Sequence, residues 1–234
     1  MRNHQQKVRT AMGYGKGVPL IFPGLTYQCN PKAEGFVKGF PADARLLDLG
    51  AGGRRIAGNV ITIDFVRHAQ TDLIADVCRV PLADHSVDGI IATGLFEHVE
   101  NDIELIVEIH RLLKKNGKVH IEVPFMQQYH EDPIDYRRYT IPGLEQFVRR
   151  HGFQVIDSGF HIGPTVTWLT ISSYYFGMLF EGKTILAKIL SNAIFMLVSL
   201  VGYPLKHLDK FLHHKKSAHR LAFGVYCTAQ VSES

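Results

Sequence analysis

From Arg45 onward, short apolar runs alternate with amphipathic stretches. "RLLDLG", "NVITID", "VDGIIATG" and "GKVHIEVPF" have the length and apolar density of parallel strands buried on both faces. Between the last two, "NDIELIVEIHRLLKKNG" sets Ile103, Ile106, Val107, Ile109 and Leu113 near helical spacing, with Asn101 or Asp102 to cap its start and Gly117 its end. "PGLEQFVRRHG" repeats the arrangement, Pro142 early and Gly152 past the end, ahead of a strand "FQVIDSGF". "LAFGVYCTAQ" supplies a last strand. Strands alternating with helices predict an α/β fold with a doubly wound sheet. Residues 1–44, rich in Gly, Pro and Lys, predict an irregular lead-in with a short helix near Lys32 to Lys38. The core domain is expected over 45–162 and 221–231, and a helical insertion over 163–220.

Composition narrows the classes. A chain of 234 residues that is 46% hydrophobic can bury a full core, and one domain with an appendage is the expectation. A formal charge of +4 is too mild to imply nucleic acid by itself. Cys29, Cys78 and Cys227 form no C-x-x-C, so neither a disulfide framework nor a zinc site is suggested. That usage suits a reducing cytosol, and "MRNHQQKVRTAMGYGKG" has no apolar core of a secretory signal.

The informative turn is "LLDLGAGGRR", residues 46–55. A strand ending in "DLGAGG" and entering a helix suits a ligand that approaches the backbone closely, at Gly50 and Gly52. A dinucleotide turn wants G-x-G-x-x-G, whereas this one reads G-x-G-G-R-R with Asp48 two residues earlier. A carboxylate there repels a pyrophosphate and holds an ammonium group, which favours a zwitterionic ligand. By itself a glycine-rich turn is equally a mere tight turn. Asp64, ending "VITID", can accept bonds from both hydroxyls of a ribose, and Asp76 in "ADVCRVPLADHSVDGI" can accept from an exocyclic adenine amine.

The ordered set "LLDLGAGG", "TIDF", "DVCRVPLADHSVDGI", "GLFEHVEN" and "EIHRLLKKNGKVHIEVPF" resembles the class I S-adenosylmethionine-dependent methyltransferases, particularly the ubiquinone-biosynthesis-type group, also called type 11. The resemblance covers about residues 45–160. It implies a Rossmann-like seven-stranded sheet with the apolar helical insertion before the last strand, and S-adenosylmethionine as cofactor. It also implies that Asp48, Gly50 and Gly52 surround the methionine moiety, Asp64 the ribose, and Asp76 with Val77 the adenine. Arg54 stands where the family has its third turn glycine: it reaches the ligand carboxylate or marks a weakened site.

Methyl transfer from a sulfonium asks for alignment of a nucleophile and, where that nucleophile carries a proton, a base. Substrates of open α/β sheets approach the loops after the strands' C-terminal ends, here "GLFEHV" and "PFMQQYHEDPIDYRRYT". His98, which resembles a family position, either touches a ligand or caps the following helix. In the second loop His130 or Asp135 is the candidate base. The same residues, with Glu131, Asp132, Arg137 and Arg138, equally suit an ion-pair network that locks the loop. No metal-ligand set with diagnostic geometry is evident, and none is expected. A similar "H.DP.DYRRYT..GL" stretch occurs in methyltransferases resembling those of cell-envelope glycan and glycolipid pathways, a looser likeness. Nucleic-acid acceptors are disfavoured, since neither an Asn/Asp-Pro-Pro-aromatic stretch nor a Pro-Cys pair is present.

The appendage "KTILAKILSNAIFMLVSLVGYPLKHLDKFLHHKKSAHR" holds seventeen residues between Lys188 and Lys206, at the short limit for crossing a bilayer. At 3.6 residues per turn Thr184, Lys188, Ser191, Asn192, Ser199, Lys206 and Lys210 share one arc, which suits an interfacial helix with its lysines toward headgroups. From Lys183 to Arg220 seven Lys/Arg face one acid, Asp209, a balance that favours anionic lipid. A helix covering protein is the alternative. Pro204 should end or kink the helix.

The expected function is methyl transfer to an oxygen or nitrogen of a small-molecule, sugar or lipid-linked glycan acceptor, by a cytoplasmic protein at the peripheral membrane surface. The alternatives are a quinone or lipid C-methyltransferase and a non-catalytic S-adenosylmethionine-binding scaffold.

Overall fold

The structure, a computed structural model, describes residues 31–131 and 134–232. The lead-in over residues 1–30, with Cys29, and Asp132 of the second loop lie outside the described residues. The described residues divide into two compact units, one built from 31–125, 136–161 and 224–232, the other from 126–131, 134–135 and 162–223.

The first unit is a sheet with helices. Its elements are α1 (Pro31–Lys38), β1 (Leu46–Leu49), β2 (Val60–Asp64), β3 (Leu73–Ile74), β4 (Val87–Thr93), α2 (Asp102–Leu112), β5 (Leu113–Pro124), α3 (Ile141–Arg150), β6 (Phe153–Ile162) and β7 (Gly224–Val231). The seven strands run in the order β3-β2-β1-β4-β5-β7-β6. The neighbours from β3 to β5 are parallel, and β7 is antiparallel to β5. This is the Rossmann-like seven-stranded sheet expected above. Only β3 escaped the periodicity, because two residues are too few to show a period.

Both faces of the apolar runs are covered. Leu47, Leu49, Ile90 and Ile121 pack with Leu105 and Ile109 of α2 and Leu144 and Val148 of α3. Leu46, Val60 and Ile91 pack on the opposite face with Ala33 and Val37 of α1. Asn101 caps α2: its side chain accepts from the Glu104 N–H and donates to the Glu104 carboxylate at 2.9 Å. The other end departs from expectation. α2 stops at Leu112 because Leu113 is already extended and paired with Val87; Gly117 lies inside β5 and does not cap the helix. In α3, Thr140 caps the start by accepting from the Gly143 N–H, and Gly152 follows the end at φ +86°.

The second unit is helical. α4 (Pro164–Met178) and α5 (Ile185–Gly202) lead into a 3₁₀ segment (Tyr203–Leu208), α6 (Asp209–Leu212) and a 3₁₀ turn (Ala218–Leu221). Contacts step down one helix and up the other: a Cβ on Gly202 would meet Leu169, the Ser199 hydroxyl donates to that of Ser173 at 3.1 Å, and Ser191 donates to the Gly177 carbonyl at 2.8 Å. The helices are therefore antiparallel. The arc expected to face headgroups is corrected by this seam, since its Ser191 and Ser199 face α4, and Lys206 is buried with its ammonium 4.0 Å from the Tyr203 ring. Asp209 caps α4 from 44 positions away in sequence, accepting from the N–H groups of Thr165 and Val166 at 2.8 and 3.1 Å. The helix ends at Gly202, next to Pro204, as that proline requires.

Candidate functional site

No helix follows β1. The chain takes residues 50–59 to reach β2 without regular structure, so the helix anticipated after "DLGAGG" is absent. The cause is local: Gly50, Gly52 and Gly53 sit at φ +69°, +61° and +86°, left-handed backbone that cannot nucleate a right-handed helix. Gly50 is doubly constrained, since a Cβ there would come within 2.7 Å of Leu95.

The turn is held instead by hydrogen bonds. The Gly50 N–H donates to the Ile63 carbonyl at 2.8 Å and the Gly52 N–H to Asp64 at 2.9 Å. The second Asp64 oxygen accepts from the Val66 N–H, and His68 stands 3.8 Å from it. Asp64 thus fastens the end of β2 to the glycine turn. Asp76, two residues past β3, accepts from the Cys78 N–H, with half-buried Val77 between them.

The adjacent arginines have opposite fates. Arg55 is spent on structure: it donates to the Val60 carbonyl at 2.8 Å and the Gln70 carbonyl at 3.1 Å, and pairs with Asp72 at 2.6 Å. That pairing holds the Asp72 carboxyl down at about 2. Arg54 is exposed, and among the described residues its guanidinium makes no hydrogen bond or ion pair.

Asp48 is fully buried, and neither carboxylate oxygen has a hydrogen-bond partner. Burial pushes its carboxyl up to about 6; Asp64 and Glu122 add to the rise, and Arg54 opposes it. A buried acceptor without a donor is rare enough to call for a ligand, and a cationic group with N–H donors meets both its charge and its hydrogen-bonding need. The residues present therefore fit an ammonium-bearing nucleoside such as S-adenosylmethionine.

Sequence reasoning missed the polar neighbours of Asp48. Strand register puts Asp48, Thr93, His120 and Glu122 on one sheet face. His120 bridges Glu122 at 2.9 Å and the Thr228 hydroxyl at 2.8 Å, and stacks on Phe36. The Thr93 hydroxyl is buried without a partner. His161 lies close by, its Nδ1 also buried without one, and burial pushes its pKa down. The signal was present in "VHIEV": titratable residues at i and i+2 of an otherwise apolar strand mark a face that is not simply core.

Of the proposed catalytic residues, His98 ends the 3₁₀ turn Phe96–His98 in the sheet unit, 3.9 Å from the buried Glu97 carboxylate. His130 and Asp135 belong to the helical unit. There Asp135 is buried, accepts from the His130 N–H at 3.0 Å and lies 3.2 Å from its Nδ1. Arg137 pairs with Asp102 at 3.0 Å, so it belongs to the locking network that was the other reading of this loop.

Residues 47–121 match the model of a family described as a methyltransferase domain. No curated protein matches the chain. Among solved structures, the chain is similar to the 1,6-didemethyltoxoflavin-N1-methyltransferase of Burkholderia thailandensis, solved with 1,6-didemethyltoxoflavin and S-adenosylhomocysteine: 15% identity, 98% of this chain and 88% of that one covered, TM-score 0.58. It is similar also to the (4+2)-cyclase SpnF (15%, 100% and 95%, 0.55) and to a SAM-dependent methyltransferase from Archaeoglobus fulgidus (16%, 86% and 92%, 0.52). At these identities the likeness is one of fold. Residues 47–121 therefore match a methyltransferase domain, and the chain has the fold of S-adenosylmethionine-dependent methyltransferases.

Proposed function

We propose that the chain transfers the methyl group of S-adenosylmethionine to an oxygen or nitrogen of a small-molecule, sugar or lipid-linked acceptor. When bound, the cofactor supplies an electrophilic sulfonium methyl. In this reading Asp48, Gly50 and Gly52 line its methionine end, Asp64 takes the ribose hydroxyls, and Asp76 with Val77 frames the adenine. Arg54, whose guanidinium has no hydrogen bond or ion pair among the described residues, is the counter-charge for the carboxylate. The observation that carries the reading is Asp48, a buried acid with both oxygens unpartnered beside three left-handed glycines.

His130 is the proposed base. Asp135 stands 3.2 Å from its Nδ1, and the imidazole would take a proton from an acceptor hydroxyl or amine as the methyl is transferred. His98 would contact the acceptor.

Calorimetry with S-adenosylmethionine tests the cofactor assignment. Binding should strengthen as pH rises through about 6, where Asp48 ionises, and level off above. Asp64→Ala should weaken it by about 1.5 to 3 kcal/mol, the cost of charge-assisted bonds to a ribose. No binding by the wild type, or unchanged binding by Asp64→Ala, would defeat the assignment. With an acceptor panel, His130→Gln should leave cofactor affinity unchanged and lower kcat by about two to four orders of magnitude, the share of general base catalysis.

A further inference from the structure

The α4–α5 pair is built inside out. Its buried faces carry the polar groups. Thr167, Thr170 and Ser173 return their hydroxyl protons to the carbonyls four residues earlier, and Ser199 and Ser191 bond across the seam at Ser173 and Gly177. Its exposed faces are apolar. On α5, Ile185, Leu186, Ile189, Leu190, Leu197 and Val201 all stand in solvent, Ile185 at 79% exposure. On α4 the exposed side carries Trp168 at 60%, Ile171, Tyr174, Tyr175 and Phe176. Water selects the opposite arrangement. Small and hydroxyl residues between helices, with large apolar ones outside, is the arrangement hydrocarbon selects.

We infer that the α4–α5 hairpin embeds in one leaflet of an anionic lipid bilayer. Charge names the lipid. Six of the seven Lys/Arg between Lys183 and Arg220 are exposed, and the segment's single acid, Asp209, is buried and spent on capping α4. The outward charge of the segment is therefore wholly positive, complementary to anionic headgroups. Length sets the depth. The stretch Ile185–Leu212 is long and apolar enough to cross a membrane by length and composition, and α5 rises about 27 Å. Its partner α4 rises only about 22 Å, against a hydrocarbon core of about 30 Å, and the connection between them carries Glu181 and Lys183. The pair lies in the interface, its aromatic α4 face at headgroup level, where Trp and Tyr concentrate. None of this depends on the methyl-transfer reading.

The chain supplies its own reporter, because Trp168 is its sole tryptophan. The whole chain is mixed with vesicles of phosphatidylcholine alone or with phosphatidylglycerol in equal parts. It should float with the anionic vesicles, with Trp168 emission shifted to the blue and quenched by lipids brominated on the acyl chain. The triple change Lys210→Gln, Lys215→Gln, Lys216→Gln should weaken partitioning roughly a hundredfold. Leu190→Glu with Leu197→Glu changes exposed positions only, so circular dichroism without lipid should match the wild type while flotation falls at least tenfold. The inference is overturned if the wild type stays in solution with unshifted emission, or if the Glu variant floats like the wild type. It is equally overturned if Trp168 is shielded without lipid in a concentration-dependent dimer that ignores vesicles.

Discussion

In the sheet unit the large apolar side chains are inside: Phe96, Ile90 and Ile109 are wholly buried. In the α4–α5 hairpin most of the large apolar groups are outside and the hydroxyls of Thr170, Ser173 and Ser199 inside, Val166 and Leu169 being buried apolar exceptions. Both regions contain helices of ordinary geometry, so secondary structure does not separate them; what each helix buries does. Each region also holds one departure from what water alone would select, the unpartnered Asp48 carboxylate in the sheet and the inverted faces of the hairpin. Each departure is what one of the proposals above rests on, a cationic ligand in the sheet and lipid at the hairpin.

Substitutions can break or sharpen that contrast. The largest effect belongs to the sheet core: Phe96→Ala should cost about 3 to 5 kcal/mol in urea unfolding, and a loss under about 1 would deny the core its role. Asp48→Asn should act in the other direction. The folded protein holds the Asp48 proton up to about pH 6, whereas the unfolded chain releases it near the ordinary 3.8, so stability falls between those values and stays reduced above them. Removing the charge should stabilise the ligand-free protein by up to ~3 kcal/mol at about pH 7.5, leave stability below about pH 4 nearly unchanged, and weaken cofactor binding. Asp209→Ala removes two buried acceptors from the start of α4 and should cost about 2 kcal/mol, read as lost helical signal in a thermal melt. Arg55→Ala should lower the melting temperature, while Arg54→Ala leaves it alone and weakens cofactor binding; reversed roles would contradict the assignment of these neighbours. Smallest is Leu197→Ala on the exposed α5 face, within about 0.5 kcal/mol without lipid.

Much of this was legible in the chain. Strands β1, β2, β4 and β5 announced themselves because burial on both faces leaves an unbroken apolar run, and Thr140 and Gly152 marked the limits of α3. Two of the misses share a cause, a partner distant in sequence. Gly117 looked like a helix cap because nothing local reveals that Val87 draws Leu113 into the sheet. The polar arc of α5 was real, but a wheel of one helix cannot show Ser173 and Gly177 waiting on another. Around the candidate site, Asp48 and Asp64 stood out at strand ends, whereas His120 and Glu122 were concealed within a strand that read as core. The glycine turn showed the limit of motif reading: the residues expected to admit a ligand are also those that forbid the helix expected behind them.

The place of β7 has a consequence for assembly. It is C-terminal to every other element, yet it occupies an interior position between β5 and β6. While the polypeptide emerges from the ribosome, β5 must wait with one edge open until Gly224–Val231 arrives, and β6 has no hydrogen-bonded neighbour in the sheet before then. A premature stop near residue 223 would therefore remove the strand that joins β6 to the rest, and the nascent sheet is at its most adhesive just before synthesis of this segment is complete.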